Sequence, residues 1–433
     1  MRPAAGELAL VDTSVPVLIL KAAGGLLHQG HVGLVRSLGH LGVPVYSFHD
    51  ARWAPGGLSC YVQGTFHWPP SGAPADVVDR LLDAAKRVGL RPVLIPVDDV
   101  SSLLVNEHAA ELRPWFLFPD QPAGLASALA NKQELHALCQ RFAVATAEAM
   151  FPRSRAEVAA FAASTRFPVM IKAVDPNLLA LRPGVRSVVI AHDAAELLDH
   201  YERGESYGPP NLMLQEYIPG EAASVWMFNG YFDASSDCLV GFTGKKLRQH
   251  PPHTGSTSLG ICLSNETVRR TTCRLMKQLG YRGILDIGYR YDVRDGRYKL
   301  LDANPRIGAS FRLFVGSNGI DVARALYLDL TGQSVPSSTA PDGRKWLVEN
   351  HDLESSLHHI RQGELTPSAW LRSLVGVREV AWFARDDPAP FVMMLAGAAL
   401  QALLWLRPSL RTRALQWLRP TPGRGGRSPT GRA

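Results

Sequence analysis

Asp302, Asn304 and Arg306 stand at every second position of KLLDANPRIG, residues 299–308. Alternate side chains of a strand share a face, so an acid, an amide and a guanidinium are presented together. Asp286 lies sixteen positions upstream in GILDIGYRYD, and an Asp295-Gly296 turn signal separates the two apolar runs. That pattern predicts a hairpin with both acids close to each other. Hard oxygen donors of this kind suit Mg²⁺, which takes one or two carboxylates and completes its shell with water and phosphate oxygens. A solvated hairpin laced with salt bridges is the alternative, but the flanking sequence is apolar, and carboxylates in half-buried strands need partners. Pro305 has no N–H for a sheet ladder and marks a strand that ends at a ligand.

Other residues can join this set. Lys132 opens NKQELHALCQRF, and Lys172 ends the apolar strand PVMIK. Each alone fits a solvated surface; together they offer two cations for phosphate. The chain has no Walker-type glycine loop, and AAGGLLHQGHVG does not give G-x-G-x-x-G directly after a strand, so NAD is not expected. LQEYIPGE turns at Pro219 and Gly220, which leaves the backbone of Glu216, Tyr217 and Ile218 as a candidate adenine edge and Glu221 as a candidate for ribose hydroxyls. In TGKKLRQHPPHTGSTS, Lys245, Lys246 and Arg248 gather charge ahead of a Gly-Ser-Thr turn. A second anionic group or a transferring phosphoryl requires such charge, and a basic surface loop is the alternative.

The elements that must position these residues fall into two blocks. VPVLIL, a glycine turn, HVGLVRSLGHLG and VPVYSFHD form a βαβ pattern, followed by a helix over 75–88, the strand RPVLIPVDD and a helix over about 101–113. This is an open α/β domain. From about 130, helices in NKQELHALCQRF and EVAAFAASTRF alternate with short strands in PVMIKAV, RSVVIAH and NLMLQEYIPG. ASVWMFNGYF and CLVGFTGKKL predict an antiparallel pair, and helices over 266–279 and about 319–330 complete the block. QSVPSSTAPDGR, residues 333–344, is expected to be a linker.

A length of 433 residues allows two or three domains. Seven arginines from Arg407 onward, with no acid among them, account for the whole net charge of +7. The body is therefore neutral, and nucleic acid is not an expected partner. Five scattered cysteines without a C-x-x-C pair point to reduced thiols rather than disulfides or zinc. The opening residues do not have the pattern of a signal peptide, so a cytoplasmic location is expected.

With Lys132, FPVMIK, LQEYIPGE, GILDIGY and LLDANPRIG in this order, the chain from about 130 to 335 resembles the ATP-grasp superfamily, and within it the carboxylate-amine ligase-like members. The resemblance implies an N-terminal open α/β pre-ATP-grasp domain over 1–125. An ATP-grasp domain over 126–335 would follow, its two small antiparallel sheets sandwiching ATP and its lid at about 165–215. Beyond it come a linker and helices over 336–390, an apolar to amphipathic segment over 391–420 and a disordered basic tail over 421–433. By the same resemblance, Lys132 and Lys172 bind ATP phosphates, and Gln215, Glu216, Tyr217 and Ile218 form the adenine hinge. Glu221 holds the ribose, and Asp286, Asp302 and Asn304 coordinate Mg²⁺, or Mn²⁺ in its place. Arg306 stabilises the substrate carboxylate and the acyl phosphate, with Lys245 and Arg248 as further catalytic candidates. The implied reaction is ATP-driven joining of a small-molecule carboxylate to an amine, with a homodimer as one assembly. Carboxylase or kinase-like chemistry and a non-catalytic nucleotide-binding module at a membrane surface are the alternatives, and no biotin-carrier segment is visible. Two departures stand out: the loop after Lys172 offers only Gly184 and two prolines, and Asp replaces Glu at both metal positions.

Residues 391–406, FVMMLAGAALQALLWL, hold no charge but fall short of the roughly 20 residues of a spanning helix. A buried helix, a short span and an interfacial helix remain open. Trp405, Trp417 and the arginines around them suit an anionic lipid surface, so peripheral attachment at the cytoplasmic face is the expectation.

Overall fold

The computed structural model describes residues 11–22, 27–50, 53–68, 73–175, 188–205 and 210–406. The glycine turn at 23–26, the loop 176–187 with Gly184 and the basic tail from 407 lie outside the described residues.

β1 (Val17–Leu20) is the run VLIL, with all four side chains shut away from water. Burial on both faces is what a central parallel strand requires. β2 (Val45–His49), β3 (Val62–His67) and β4 (Val93–Pro96) join it in parallel in the order β3-β2-β1-β4. The helix Gln29–Gly39 packs Val32, Val35 and Leu38 on one face, and the helix Pro74–Val88 packs Val77, Val78 and Leu81 on the other. This is the open α/β domain expected from the sequence. β3, with alternate residues exposed, is an edge strand whose polar sequence VQGTFH concealed it.

A second, antiparallel sheet comprises β5 (Ala149–Met150), β6 (Val169–Ala173), β7 (Val188–Ala191) and β8 (Leu212–Glu216), in the order β5-β8-β6-β7. Val169, Ile171 and Leu214 pack against Val158 and Leu197 of the helices Arg155–Ser164 and Ala194–Glu205. Strand alternation therefore leaves Met170 and Lys172 on the opposite face.

The third sheet comprises β9 (Val225–Phe232), β10 (Cys238–His250), β11 (Ser256–Cys262), β12 (Gly283–Asp292), β13 (Arg297–Asn304), β14 (Lys345–Leu347) and β15 (Val377–Val380). Their order is β13-β12-β9-β10-β11-β14-β15. The resemblance implies two small antiparallel sheets, but this one has seven strands and ends in a parallel pair, β14 with β15. The extra strands come from residues 336–390, expected as linker and helices. The Pro/Ser-rich stretch leads back into the sheet, where Trp346 and Trp382 are buried.

The same C-terminal region is clamped to the first domain. Arg36 of the helix Gln29–Gly39 donates from Nε to Asp387 Oδ2 at 2.9 Å and from Nη2 to the Trp382 and Asp387 carbonyls, both at 2.8 Å. Ser59 Oγ and the Cys60 amide also donate to the wholly buried Asp387 carboxylate, at 2.8 and 3.0 Å. The helix Ala389–Leu406 follows. Met394 is buried, whereas Val392 and Leu395 are more than half exposed. Among the described residues no helix is long and apolar enough to cross a membrane.

Removing one partner of a buried ion pair leaves the other uncompensated, at a cost of about 3–5 kcal/mol. Asp387→Ala should lower the unfolding free energy in urea by that amount. A loss below about 1 kcal/mol would show that the clamp does not hold the two regions together.

Candidate active site

The open faces of the second and third sheets enclose a cavity of about 390 Å³. Met170, Ile190, Val225, Met227 and Leu301 make its apolar walls, and Lys132, Lys172, Lys246, Asp286, Arg290, Asp302, Asn304 and Arg306 bring charge and polarity.

The hairpin β12–β13 sets the acids. Asp286 is paired with Asn304, and Gly288 with Asp302. The register then shifts between Gly288 and Tyr289, so Tyr289 pairs with Leu300. This bulge keeps Leu300 and Ala303 together in the hydrophobic core while Leu301, Asp302 and Asn304 line the cavity. Glycines clear the space: a Cβ on Gly288 would clash with Asp302 Oδ1, and one on Gly308 would clash as closely with Asp286 Cγ. On the other side of Asp286, β9 brings Asn229 into register. Asn229 is fully buried and neither of its side-chain polar atoms closes a well-formed hydrogen bond, yet it lies near enough to Asp286 to favour the carboxylate.

Burial pushes the Asp286 carboxyl up to about 6; Arg306 and Lys246 work against that rise, and Asp302 adds to it. Burial also draws all three lysines down, Lys172 to about 8, with the Asp302 charge opposing the shift in each. Lys132 sits at the start of the helix Lys132–Arg141, whose Asn131 cap accepts from the Gln133 and Glu134 amides. Lys246 donates to the Gly255 carbonyl at 3.0 Å.

Arg306 is held by a residue that no sequence signal singled out. Its Nε and Nη2 donate to Asp99 Oδ1 and Oδ2 at 2.6 and 3.2 Å. Its Nη1 donates to the Ile307 carbonyl, and Nη2 lies 3.4 Å from Asn304 Oδ1. Asp99 opens the helix Asp99–Glu107, just beyond the carboxyl end of β4. The useful signal was the Asp-Asp pair after RPVLIPV, at the strand end where open parallel sheets bind ligands.

The structure brings together Lys132, Lys172, Gln215, Glu216, Tyr217, Ile218, Asp286, Asp302, Asn304 and Arg306 around the cavity. The Glu216 carboxylate is already engaged, by Arg294 at 2.5 Å and Lys299 at 3.5 Å. Three candidates lie elsewhere. Glu221 is not among the lining residues. Lys245 rests over the Trp226 ring at 4.6 Å, because neighbours on a strand face opposite ways, and Lys246 takes the cavity side instead. Arg248 is turned away by register shifts on both its sides and is buried in a two-pronged pair with Asp352, at 2.8 and 3.0 Å. That leaves it no part in the cavity.

No family model matches the chain. D-aspartate ligase of Enterococcus faecium is 24% identical over 257 residues, which cover 57% of this chain and 59% of that protein. The chain thus spans about three fifths of that relative. L-amino acid ligase from Bacillus licheniformis superposes with a TM-score of 0.56 at 14% identity, over 74% of this chain and 75% of that one. N5-carboxyaminoimidazole synthetase from Staphylococcus aureus, complexed with ADP, gives 0.58 at 10% identity, over 76% and 80%. The chain has the ATP-grasp fold and resembles a carboxylate-amine ligase in sequence.

In this ATP-grasp chain the donor set fits Mg²⁺: two carboxylates and an amide oxygen meet where burial and mutual repulsion already resist ionisation of Asp286. A divalent ion removes that cost. Without ligand, the raised Asp286 group destabilises the folded state at any pH above its unfolded value, fully so above about 6. Asp286→Asn should therefore stabilise the ligand-free protein by about 1–2 kcal/mol at pH 7.5 and leave it unchanged below pH about 4. It should also weaken Mg²⁺-dependent nucleotide binding at least about tenfold. Urea melts at the two pH values and nucleotide titrations check both; a variant less stable at pH 7.5 would contradict the assignment.

Proposed function

We propose that the protein is an ADP-forming ligase that activates a small-molecule carboxylate as an acyl phosphate and joins it to an amine. The observation that carries this reading is the convergence of Asp286, Asp302, Asn304, Lys132, Lys172, Lys246 and Arg306 on one cavity between two sheets. Similarity to D-aspartate ligase and L-amino acid ligase supports amide formation.

Apolar side chains of both sheets would clasp the adenine, with the backbone of Glu216 to Ile218 along its edge. Lys132, Lys172 and Lys246 would hold the phosphate oxygens, and partial desolvation makes those contacts stronger than they are in water. Asp286, Asp302 and Asn304 would hold Mg²⁺ (or Mn²⁺), which would supply positive charge to offset the negative charge that develops as the γ-phosphoryl leaves. Arg306, oriented by Asp99, would steer the substrate carboxylate in line with that phosphoryl group. The amine then attacks the acyl carbon, phosphate departs with the carboxylate oxygen, and the amine releases a proton. No nucleophilic side chain is required.

The protein should release ADP only when its acid and amine are both present. Asp302→Ala and Arg306→Ala should each lower that turnover by at least about a hundredfold. Unchanged turnover in either variant would overturn the reading, and ADP release driven by bicarbonate alone would favour carboxylation instead. Screening carboxylates against amines for ADP release tests both.

We infer further that the C-terminal segment attaches to anionic membrane surfaces. Support comes from the exposed Val392 and Leu395 on an uncharged helix and from the seven arginines that follow it in sequence. The full-length chain should co-sediment with phosphatidylserine vesicles and be released by about 0.5 M salt, because screening weakens surface attraction. Truncation after residue 388 should abolish binding; equal binding of the truncated chain would refute the inference.

A further inference from the structure

Five of the 14 histidines converge where the end of β10 and the loop after it meet the helix Glu349–Arg361: His250, His253, His351, His358 and His359. The two segments are far apart in sequence and are pinned together by the Arg248–Asp352 pair and by Ser355 Oγ, which donates to the Gln249 carbonyl at 2.7 Å. The His250 and His351 rings stack at 4.7 Å, and the His253 ring stands edge-on to His359 at 5.5 Å. One ligand atom each from His253, His359 and Glu364 lies within 4.8 Å of the other two. Among the described residues no other group of three His, Cys, Asp or Glu side chains meets that spacing.

We propose that His253, His359 and Glu364 form a binding site for a borderline divalent transition ion, with Zn²⁺ as the reference case. Two imidazoles and one carboxylate, with a remaining position open to water, match the ligand preference of Zn²⁺. Mg²⁺ is excluded by its preference for oxygen donors in octahedral geometry. The site is partly assembled without an ion: His359 Nδ1 lies 2.6 Å from Glu364 Oε2. His253 holds a left-handed backbone, φ 68°, which a residue with a side chain adopts at a cost.

The site is separate from the Asp286 and Asp302 pair but linked to the cavity. His253 and Thr254 to Thr257 line the cavity rim, and the Gly255 carbonyl accepts from both Lys246 Nζ and Gln249 Nε2, at 3.0 and 2.7 Å. An ion joining His253 to His359 therefore fixes the rim loop to the C-terminal helix. The proposal stands apart from the ligase reading, because binding of the ion is measured without turnover.

The test uses the untagged full-length chain, freed of metal with a chelator and kept in excess Mg²⁺. Co²⁺ is titrated by its visible ligand-field absorption, and Zn²⁺ is then used to displace it. One ion should bind per chain, with His359→Ala and Glu364→Gln each weakening it at least about tenfold and Asp302→Asn leaving it unchanged. Glu364 is exposed, so its variant should melt at the wild-type temperature even if His359→Ala does not fold. Wild-type affinity in Glu364→Gln overturns the proposal. Loss of the ion in Asp302→Asn overturns it as well, because the ion would then occupy the nucleotide cavity.

Discussion

Burial draws Lys132, Lys172 and Lys246 below the ordinary ammonium range and lifts Asp286 to about 6, all around one cavity. Charged groups removed from water are costly unless something returns the lost solvation. Here the groups return only part of it to one another: the Asp302 charge favours each lysine, but Asp286 and Asp302 repel. A polyphosphate with its divalent ion satisfies both signs at once. The two sheets, the glycines at 288 and 308 and the bulge in β13 hold these charges around one cavity without letting them collapse on one another, the lysines and Asp286 half-buried and Asp302 still open to water.

Arg306 introduces a second constraint. Its guanidinium belongs to the strand end that also carries Asp302 and Asn304, but its orientation is set by Asp99 of the first domain. A bidentate guanidinium-carboxylate pair fixes a plane as well as a position. The α/β domain thus orients the Arg306 guanidinium at the cavity, where the proposed reaction has it steer a carboxylate. An arginine stays charged at any physiological pH, so this steering does not fade as the lysines titrate.

Much of this was legible in the sequence because it depends on strand alternation over short distances. The hairpin β12–β13, the row Asp302, Asn304 and Arg306, and Lys172 at the end of its strand follow from apolar runs punctuated by turn residues, whereas Lys132 at a helix start is reached through the family resemblance. What alternation cannot supply is the position of a bulge. A simple count from the strand leaves Lys245 and Lys246 equally eligible, and Arg248 would share a face with Lys246. Register shifts around Arg248 break that rule, so the cavity takes Lys246 and Gln249 while Arg248 pairs with Asp352. Asp99 was hidden for a different reason: its partner is some two hundred residues away, and no local pattern encodes a pair at that separation.

The strands that follow the linker show a third kind of limit. QSVPSSTAPDGR has the composition of a connector, and it does connect, but into the same sheet. β14 and β15 are three and four residues long, too short for a periodicity to register, and their stability comes from the partners they find. Trp346 and Trp382 bury large apolar surfaces there, and Arg312 and Arg344 close on Glu379 at 2.7 Å each. The acid-bearing hairpin lies at one edge of the sheet and these C-terminal strands at the other, with β10 between them carrying both Lys246 and Arg248. Lys246 faces the cavity and Arg248 anchors the helix Glu349–Arg361 through Asp352, so a single strand ties the lysine-bearing wall of the cavity to the C-terminal region. A shift of that helix cannot leave the position of Lys246 unaffected, because a packed strand transmits displacement along its length rather than absorbing it.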